Sequence, residues 1–375
     1  MVCLQNETQI FNGVIMSRNI LLVWDRMGDY HRARWEALQA EFPDRKVYAA
    51  DLGGSDTLYG WNTTASNPLY VLLSEKPPDR FDFSRIKKFI RVLSGQNIGT
   101  VCISGYGKLE YLMFILYARF TRRRVILFAE SWYPSNFIVD KLKSLFLRLM
   151  SNGFLVSGSR AYFHFTKRLK ISAHKTKVGY SVVDNAHFSN PTSKTRVFSK
   201  RLLCVARFAP EKNLQLLIAA FLKSNLLKQN WELHIVGGGP LKSELERLAA
   251  DSKNIKLCPW KPYRELPAVY HSADIFILPS AFEPWGLVVN EAMAAGLPII
   301  LNEAVGCVPD FLENGKNGLI FQTSEASLVE LFNKILAFPI EKLTEMGERS
   351  KQKIGEFSLQ TFSENLKALI DIPSI

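Results

Sequence analysis

The feature that most constrains the fold of this chain is the repeated alternation of short apolar runs with amphipathic helical stretches. Strands of a parallel sheet are buried on both faces, so they read as near-continuous apolar runs with helices between them. In the first half the pattern predicts strands at residues 19–24, 100–104, 125–129 and 154–157, and helices at 31–42, 109–120, 138–150 and 161–169. This pattern is typical of an α/β fold.

The alternation is sharper in the second half. It predicts strands at residues 201–206, 232–236, 255–258, 275–278 and 298–301, and helices that begin near Asn213, Leu241, Tyr263 and Leu287. Because a polar, irregular stretch separates the halves, we predict two Rossmann-like domains that face a cleft. The predicted parts are an N-terminal extension (1–18), an N-terminal domain (19–183), a linker (184–200), a C-terminal domain (201–345) and C-terminal helices (346–375) that pack back on the N-terminal domain.

The charge distribution indicates what the first domain faces. The 375 residues carry a net charge of +12, and residues 1–200 hold 29 basic against 15 acidic side chains, whereas residues 201–375 hold 18 against 20. We therefore expect an anionic partner of the N-terminal domain: nucleic acid, an anionic membrane surface or a phosphorylated substrate. Residues 119–124, 140–149 and 167–170 interleave cations with large apolar residues, as an interfacial helix does, and equally as a solvated helix packed through its apolar stripe does.

Apolar runs and cysteine spacing exclude several classes of protein. No run approaches the roughly 18 apolar residues that span a bilayer, and the first 19 residues lack the pattern of a signal peptide. The five cysteines stand far apart without a C-x-x-C pair, so neither a disulfide framework nor a zinc site is indicated. We expect a cytoplasmic protein, or one bound peripherally to the cytoplasmic face of the membrane.

A pair of carboxylates marks the strongest candidate site. Glu283 follows a predicted strand and Glu291 stands eight residues later. Because ligands of open α/β sheets bind beyond the carboxyl ends of strands, we expect Glu283 on a loop and Glu291 about one turn into the next helix. The free backbone N–H groups of Trp285, Gly286 and Leu287 would hold phosphate or sugar oxygens at that helix N-terminus. The alternative is a pair of ordinary helix carboxylates.

Two cations form a second signal. Arg207 follows the predicted strand at 201–206, and Lys212 enters the next helix five residues later. Fixed cations at the carboxyl edge of a sheet suit a diphosphate, since arginine can chelate two oxygens and lysine acts as a point charge. In isolation the two side chains could equally be solvent-exposed basic residues.

Two glycine-containing turns are weaker candidates. Gly238 and Gly239 follow the strand at 232–236, where a side chain would keep a ligand away from the backbone. Gly28 and His31 follow the first strand and could face the cleft, or cap and decorate a surface helix. A purely structural turn is as good an interpretation for either segment.

Together these motifs resemble the donor domain of the retaining glycosyltransferases of family 4, the "glycosyl transferases group 1", which have the GT-B fold. The resemblance lies in residues 201–321, which contain V-x-R-x-x-x-x-K, G-G-G-P, P-S-x-x-E-P-W-G-L-V-V-N-E-A-M-A-x-G-L-P-I-I and G-x-N-G-L in this order. Residues 179–188 are similar to the interdomain segment of the same family.

The resemblance implies roles for the residues of the C-terminal domain. Arg207 and Lys212 would neutralise the departing nucleoside diphosphate, Glu283 would contact the sugar hydroxyls and Glu291 the ribose hydroxyls. The backbone amides near Trp285 to Leu287 would support the sugar and the phosphates. The chain has no D-x-D motif, which agrees with catalysis without a metal and without any cofactor. Retention would proceed by front-face displacement, in which the leaving phosphate takes the acceptor proton.

The N-terminal domain of this family usually selects the acceptor, and here it departs from the family pattern. The family often has a Gly-Gly pair after the first strand, whereas this chain has Gly28 followed by Asp29. Many members present a histidine to the donor sugar, and no motif identifies it here. Glu130 and Ser131 follow a predicted strand and are further cleft candidates.

These observations predict a retaining, metal-independent glycosyltransferase. Its donor would be a nucleoside diphosphate sugar, with UDP favoured over GDP, and its acceptor a glycan, a glycolipid or a small molecule. The basic N-terminal domain would contact an anionic membrane surface, and no nucleic acid is expected because no nucleic-acid motif accompanies the charge. The alternatives are a sugar-nucleotide epimerase or a phosphorylase-like enzyme with the same cleft, or a catalytically silent module that binds an anionic ligand.

Overall fold

A computed structural model describes residues 10–11, 14–15, 18–53, 67–189 and 198–372. A two-residue antiparallel pair, β1 (Ile10–Phe11) with β2 (Val14–Ile15), precedes two parallel sheets. Within the described ranges no helix is long and apolar enough to cross a bilayer.

The N-terminal domain is a seven-stranded parallel sheet with helices on both faces. Its strands are β3 (Asn19–Trp24), β4 (Val47–Asp51), β5 (Tyr70–Leu72), β6 (Ile98–Ser104), β7 (Arg124–Ala129), β8 (Gly153–Val156) and β9 (Thr176–Val178). Its helices are α1 (Asp29–Glu41), α2 (Phe83–Gly95), α3 (Leu109–Phe120), α4 (Phe137–Met150) and α5 (Ser159–Phe163). The strand order β5-β4-β3-β6-β7-β8-β9 reverses direction between β3 and β6, and this switch point opens a crevice at the strand ends.

The C-terminal domain begins after a short helix, α6 (Asn185–Ser189), and repeats the same plan. Its strands are β10 (Arg201–Val205), β11 (Glu232–Gly237), β12 (Ile255–Pro259), β13 (Ile275–Leu278), β14 (Ile299–Asn302) and β15 (Gly318–Phe321). Its helices are α7 (Leu214–Lys223), α8 (Asn225–Lys228), α9 (Lys242–Ala249), α10 (Leu266–His271), α11 (Leu287–Ala294), α12 (Val308–Phe311), α13 (Glu325–Leu336) and α14 (Ile340–Ile354). The order β12-β11-β10-β13-β14-β15 places its switch point between β10 and β13.

The central strands of both sheets are buried on both faces. Every residue of β4, β8, β13 and β14 is buried, and two core clusters flank each sheet. Continuous apolar runs such as residues 275–278 therefore pack against helices on both faces of the sheet. The predicted α/β class with two Rossmann-like domains is confirmed.

The final helix, α15 (Leu359–Ile370), crosses back to the first domain. It packs against α1, and Asn365 donates a hydrogen bond to the carbonyl oxygen of Val178 at 3.0 Å. The preceding helix α14 packs on α11 of the C-terminal domain, where a Cβ at Gly347 would lie 2.2 Å from the carbonyl oxygen of Gly296. The crossing therefore begins after residue 354 and not at residue 346, because this close contact holds α14 on the second domain.

Two local expectations need correction. The stretch predicted as an irregular linker forms α6 at its start, because Phe188 is an apolar anchor that packs against Tyr263 and Tyr270. Lys212 does not enter α7: it ends a 3₁₀ turn, and Asn213 follows in the left-handed region at φ 54°.

Candidate active site

The C-terminal switch point gathers the predicted cations and the first carboxylate. Arg207 lies beyond the end of β10, and Glu283 lies on the loop after β13, the neighbouring strand. Lys212 reaches across the switch point and forms an ion pair with Glu283, whose side chains are 18% and 12% exposed. Ser280 also donates to Glu283 at 3.4 Å. Residues separated by more than 70 positions are thus in direct contact.

Arg207 has a carboxylate partner as well. Its side chain is 46% exposed and forms an ion pair with Glu211 four residues later, and this hydrogen bond holds the pKa of Glu211 below its ordinary value. Both predicted phosphate-binding cations are therefore held near the strand ends by carboxylates. A diphosphate would compete with Glu211 and Glu283 for the two cations, since all three are anions.

The loop after Glu283 leads directly into α11. Gly286 precedes the helix with φ 102°, a left-handed conformation that favours glycine. Leu287 is the first helical residue, and Val289 donates to the carbonyl oxygen of Gly286 at 2.9 Å, so the N–H groups of Leu287 and Val288 are the ones without a partner within the helix. The structure brings the helix N-terminus, Glu283 and Lys212 to one edge of the sheet.

Trp285 contributes to this site only through its backbone. Its side chain is 3% exposed, packs against Phe311 and Phe357, and donates from Nε1 to Asn290 at 3.0 Å. A Cβ added at Gly158 of the N-terminal domain would lie 2.2 Å from this indole ring. The tryptophan side chain is therefore a packing element between the domains, and a role as a donor contact belongs to its amide alone.

Glu291 is buried and fully hydrogen-bonded. It is 1% exposed; Tyr270 donates to one oxygen at 2.6 Å, and Tyr30 of α1 donates to the other at 2.7 Å across the domain boundary. Burial raises the pKa of Glu291 to about 7, although both phenol hydrogen bonds act in the opposite direction. Tyr30 also packs edge-on against Tyr263, with ring centroids 5.1 Å apart. Because Glu291 is 1% exposed, ribose hydroxyls would reach its carboxylate only after a neighbouring side chain moves.

The glycine turn after β11 has one position that packing does not explain. A Cβ at Gly237 would lie 1.9 Å from the carbonyl oxygen of Ala206, and one at Gly239 would lie 2.6 Å from that of Phe208. Both positions are thus required by the close approach of two backbone segments. A Cβ at Gly238 would meet open space, so Gly238 remains available to a ligand and Gly239 is explained by packing.

A cavity of about 780 Å³ opens on the N-terminal side of the cleft. It is lined mainly by residues that follow β3, β6 and β7, together with Leu287 from the first turn of α11. The polar and charged side chains of the lining include Asp25, His31, Arg34, Lys108, Glu130, Ser131, Lys143 and Tyr180. The cavity therefore meets both domains at the start of α11.

The predicted cleft residues of the N-terminal domain divide in two groups. His31, Glu130 and Ser131 line the cavity, whereas Gly28 only precedes α1. His31 Nδ1 accepts from the Gly28 backbone at 3.2 Å, and burial lowers the pKa of His31 to about 3. Its imidazole is therefore neutral near pH 7 and carries its proton on Nε2. Glu130 accepts from Ser181 at 2.6 Å.

Sequence reasoning missed Asp25 and Tyr30. Asp25 directly follows β3, lines the cavity, accepts a hydrogen bond from Tyr111 and pairs with Lys108 at 2.8 Å. Its position at a strand end next to the switch point was the signal that could have identified it. Tyr30 gave no local signal, since its contact with Glu291 exists only when the domains meet.

Further contacts tie the domains beside the cleft. Asp310 accepts from the backbone and the hydroxyl of Ser159, the latter at 2.6 Å, and Trp132 donates to the carbonyl oxygen of Pro284 at 3.1 Å. Across the described ranges no group of three or more His, Cys, Asp or Glu could hold a metal ion. Catalysis without a metal stays a prediction.

The C-terminal domain matches a known family. Residues 189–353 match the family model described as "Glycosyl transferases group 1". Over 217 residues the chain is 28% identical to the amylovoran biosynthesis glycosyltransferase of Erwinia amylovora, covering 54% of this chain and 52% of that protein. It is 29% identical over 138 residues, 34% of this chain and 36% of the relative, to the GDP-mannose-dependent alpha-(1-6)-phosphatidylinositol monomannoside mannosyltransferase of Mycolicibacterium smegmatis.

The fold extends over almost the whole chain. The crystal structure of Anabaena HepE in complex with UDP-glucose superposes with a TM-score of 0.73 at 14% identity, covering 95% of this chain and 100% of that one. The chain spans about half or less of the length of the two curated relatives. The predicted likeness of the C-terminal domain to group 1 glycosyltransferases and the GT-B type of fold are confirmed.

Proposed function

We propose that this chain, whose residues 189–353 match the family model of the glycosyl transferases group 1, is itself a glycosyltransferase that uses a nucleoside diphosphate sugar. The observation that carries the proposal is the cluster of Arg207, Lys212, Glu283 and the α11 N-terminus at one switch point. Breaking a glycosyl phosphate bond develops negative charge on the diphosphate, and fixed cations with free helix N–H groups stabilise that charge.

The geometry supports a division of labour in the transfer step. Arg207 and Lys212 would exchange their carboxylate partners for the diphosphate, which frees Glu283 to accept hydrogen bonds from the sugar hydroxyls. His31, which lines the cavity, would face the sugar from the N-terminal side. No step in this scheme needs a metal ion.

We propose that the transfer retains the anomeric configuration. The bond from the anomeric carbon to the diphosphate oxygen breaks, the acceptor oxygen forms the new bond on the same face, and its proton passes to the leaving phosphate. The described carboxylates that line the cavity are Asp25, Asp79 and Glu130, of which Asp25 accepts from Tyr111 and pairs with Lys108, and Glu130 accepts from Ser181. The proposed route assigns none of them the role of a covalent nucleophile.

UDP is the proposed nucleoside diphosphate of the donor, and GDP is the alternative. The superposed Anabaena structure holds UDP-glucose, whereas the mycobacterial relative is named for GDP-mannose. The relatives' names, amylovoran biosynthesis and a phosphatidylinositol mannoside, support a glycan or a glycolipid as acceptor. The acceptor would enter the cavity of the N-terminal domain, at the cytoplasmic side of the membrane.

Release of nucleoside diphosphate tests this function. Purified protein is incubated with UDP-glucose, UDP-galactose and GDP-mannose, with and without EDTA, and the anomeric configuration of any product is read by NMR. We expect one donor to be consumed in the presence of EDTA, with a product that retains the anomeric configuration. Glu283→Gln should slow the release of nucleoside diphosphate at least about 100-fold. The surface carboxylate variant Glu325→Gln, which removes the pair with Lys223, should keep the wild-type rate. Consumption of no donor, or equal rates for both variants, would refute the proposal.

A further inference from the structure

Helix α4 directs its apolar side chains away from the protein. Ile138, Leu142, Leu145 and Leu149 are 70%, 64%, 57% and 56% exposed. They are spaced i, i+4, i+7 and i+11, so at about 100° per residue they fall within about 60° of one another on the helix. These four residues form a continuous outward stripe.

The opposite side of α4 carries the polar contacts that hold the helix in place. Asp140 is 5% exposed and forms an ion pair with Arg168, and Ser144 donates to the carbonyl oxygen of Leu169. Only Leu147 is both apolar and buried on this helix. A surface helix normally buries its apolar stripe and exposes its polar face. The reversed orientation indicates that the stripe has a binding role.

The charges around the stripe are all of one sign. Lys141 and Arg148 are the exposed charged side chains of α4, and Lys167 and Lys170 are exposed on the segment that packs against it. Residues 101–200 contain 17 basic and 4 acidic side chains. Aliphatic residues flanked by cations match an acyl surface bordered by anionic headgroups. A second copy of the same face would instead bring like charges together.

We propose that α4 docks the protein on an anionic lipid surface, with the stripe inserted at the boundary between headgroups and acyl chains. Lys143 of the same helix lines the cavity, so docking would bring the cavity close to the membrane. On the proposed function, an acceptor carried by a lipid could then reach the cleft without leaving the bilayer.

Vesicle flotation with the full chain tests the docking. The vesicles contain phosphatidylcholine alone, or phosphatidylcholine with about one third phosphatidylglycerol. We expect wild type to float only with the anionic vesicles, less so at high salt. The double change Leu142→Glu and Leu145→Glu should weaken binding at least about tenfold, and Lys141→Gln with Arg148→Gln should reduce its salt dependence.

A matched control places the same charges elsewhere. Leu248→Glu with Ile340→Glu alters residues that are 39% and 50% exposed on the C-terminal domain, and should leave flotation unchanged. Equal binding by wild type and L142E/L145E, or no flotation at low salt, would overturn the proposal. The proposal would also be overturned if the wild type were a dimer and the L142E/L145E variant a monomer, because a second copy would then cover the stripe. UDP binding is measured on the same proteins. Flotation without UDP binding would contradict the transferase proposal and leave the docking proposal intact.

Discussion

At the residue scale, the candidate site is a set of charges that already have partners. Lys212 holds Glu283, and Arg207 holds Glu211. The motifs predict that Lys212 contacts the diphosphate of the donor and Glu283 its sugar. In the structure these two side chains neutralise each other. Pairing keeps the side chains near the positions from which they would act, since breaking a partly buried pair without a substitute is costly.

Removal of Lys212 tests the proposed diphosphate site. Lys212→Ala deletes a cation from the proposed diphosphate site, and we expect turnover of the donor to fall about 100-fold to 1,000-fold. Lys223→Ala removes an exposed lysine that pairs with Glu325 and serves as the control. Steady-state release of nucleoside diphosphate measures both. A Lys212→Ala enzyme as fast as Lys223→Ala would exclude the assigned role.

The buried carboxylate predicts a pH dependence of stability. The pKa of Glu291 rises from 4.5 to about 7 on folding, so between these values the folded chain binds more protons than the unfolded chain. Its contribution to the free energy of unfolding is thus complete below pH 4.5 and is lost as the pH rises through about 7.

Comparison with Glu291→Gln isolates this group. Glutamine does not titrate, so the stability of wild type relative to the variant should fall by about 3 kcal/mol between these limits. Urea unfolding across this pH range measures it. His31, whose pKa burial lowers to about 3, is common to both proteins and cancels. A difference that stays constant with pH would show that Glu291 is not buried as described.

At the element scale, the sequence predicts best the strands that stand out as apolar runs. Strands β3 and β13 were predicted at their observed bounds, because β13 is one apolar run and β3 is one after its first residue, Asn19. Strand β4 (V-Y-A-A-D) is buried but contains no long apolar run, and β5 is three residues long and only half-buried, so the sequence pattern predicts neither. The site divides likewise: motifs located Arg207 and Glu283, whereas Tyr30 depends on contact between the domains.

The glycine turn after β11 separates packing from ligand binding. Gly237→Ala would place a Cβ 1.9 Å from the carbonyl oxygen of Ala206, and we expect a loss of at least about 2 kcal/mol. Gly238→Ala meets open space and should change the free energy of unfolding by less than about 0.5 kcal/mol. Urea titration of both variants tests this. Equal destabilisation would contradict the described turn.

At the scale of the whole molecule, helix α15 returns from the C-terminal domain to the N-terminal domain. Helix α15 buries Phe362, Leu366 and Leu369 against the core of the N-terminal domain, so this core includes residues far apart in the sequence. Together with the Ser159–Asp310 and Trp132–Pro284 contacts, the crossing ties the two domains beside the cleft.

Truncation of one residue on α15 tests the crossing. Phe362 is fully buried and lies 6.2 Å from the ring of Phe128 between centroids. We expect Phe362→Ala to lower the free energy of unfolding by about 3–5 kcal/mol. Gln360→Ala, an exposed neighbour on the same helix, should cost less than about 0.5 kcal/mol. Unfolding followed by circular dichroism would contradict the packing if the two variants were equally stable.

The central claim is that the C-terminal switch point binds a nucleoside diphosphate. Thermal-shift measurements with UDP, GDP, ADP and dTDP, with and without EDTA, test it most directly, because a ligand that binds the folded state raises the melting temperature. We predict a shift with one nucleotide, UDP before GDP, that survives EDTA and disappears when Arg207 and Lys212 are both changed to Ala. No shift with any nucleotide, or an equal shift in the double variant, would contradict the account.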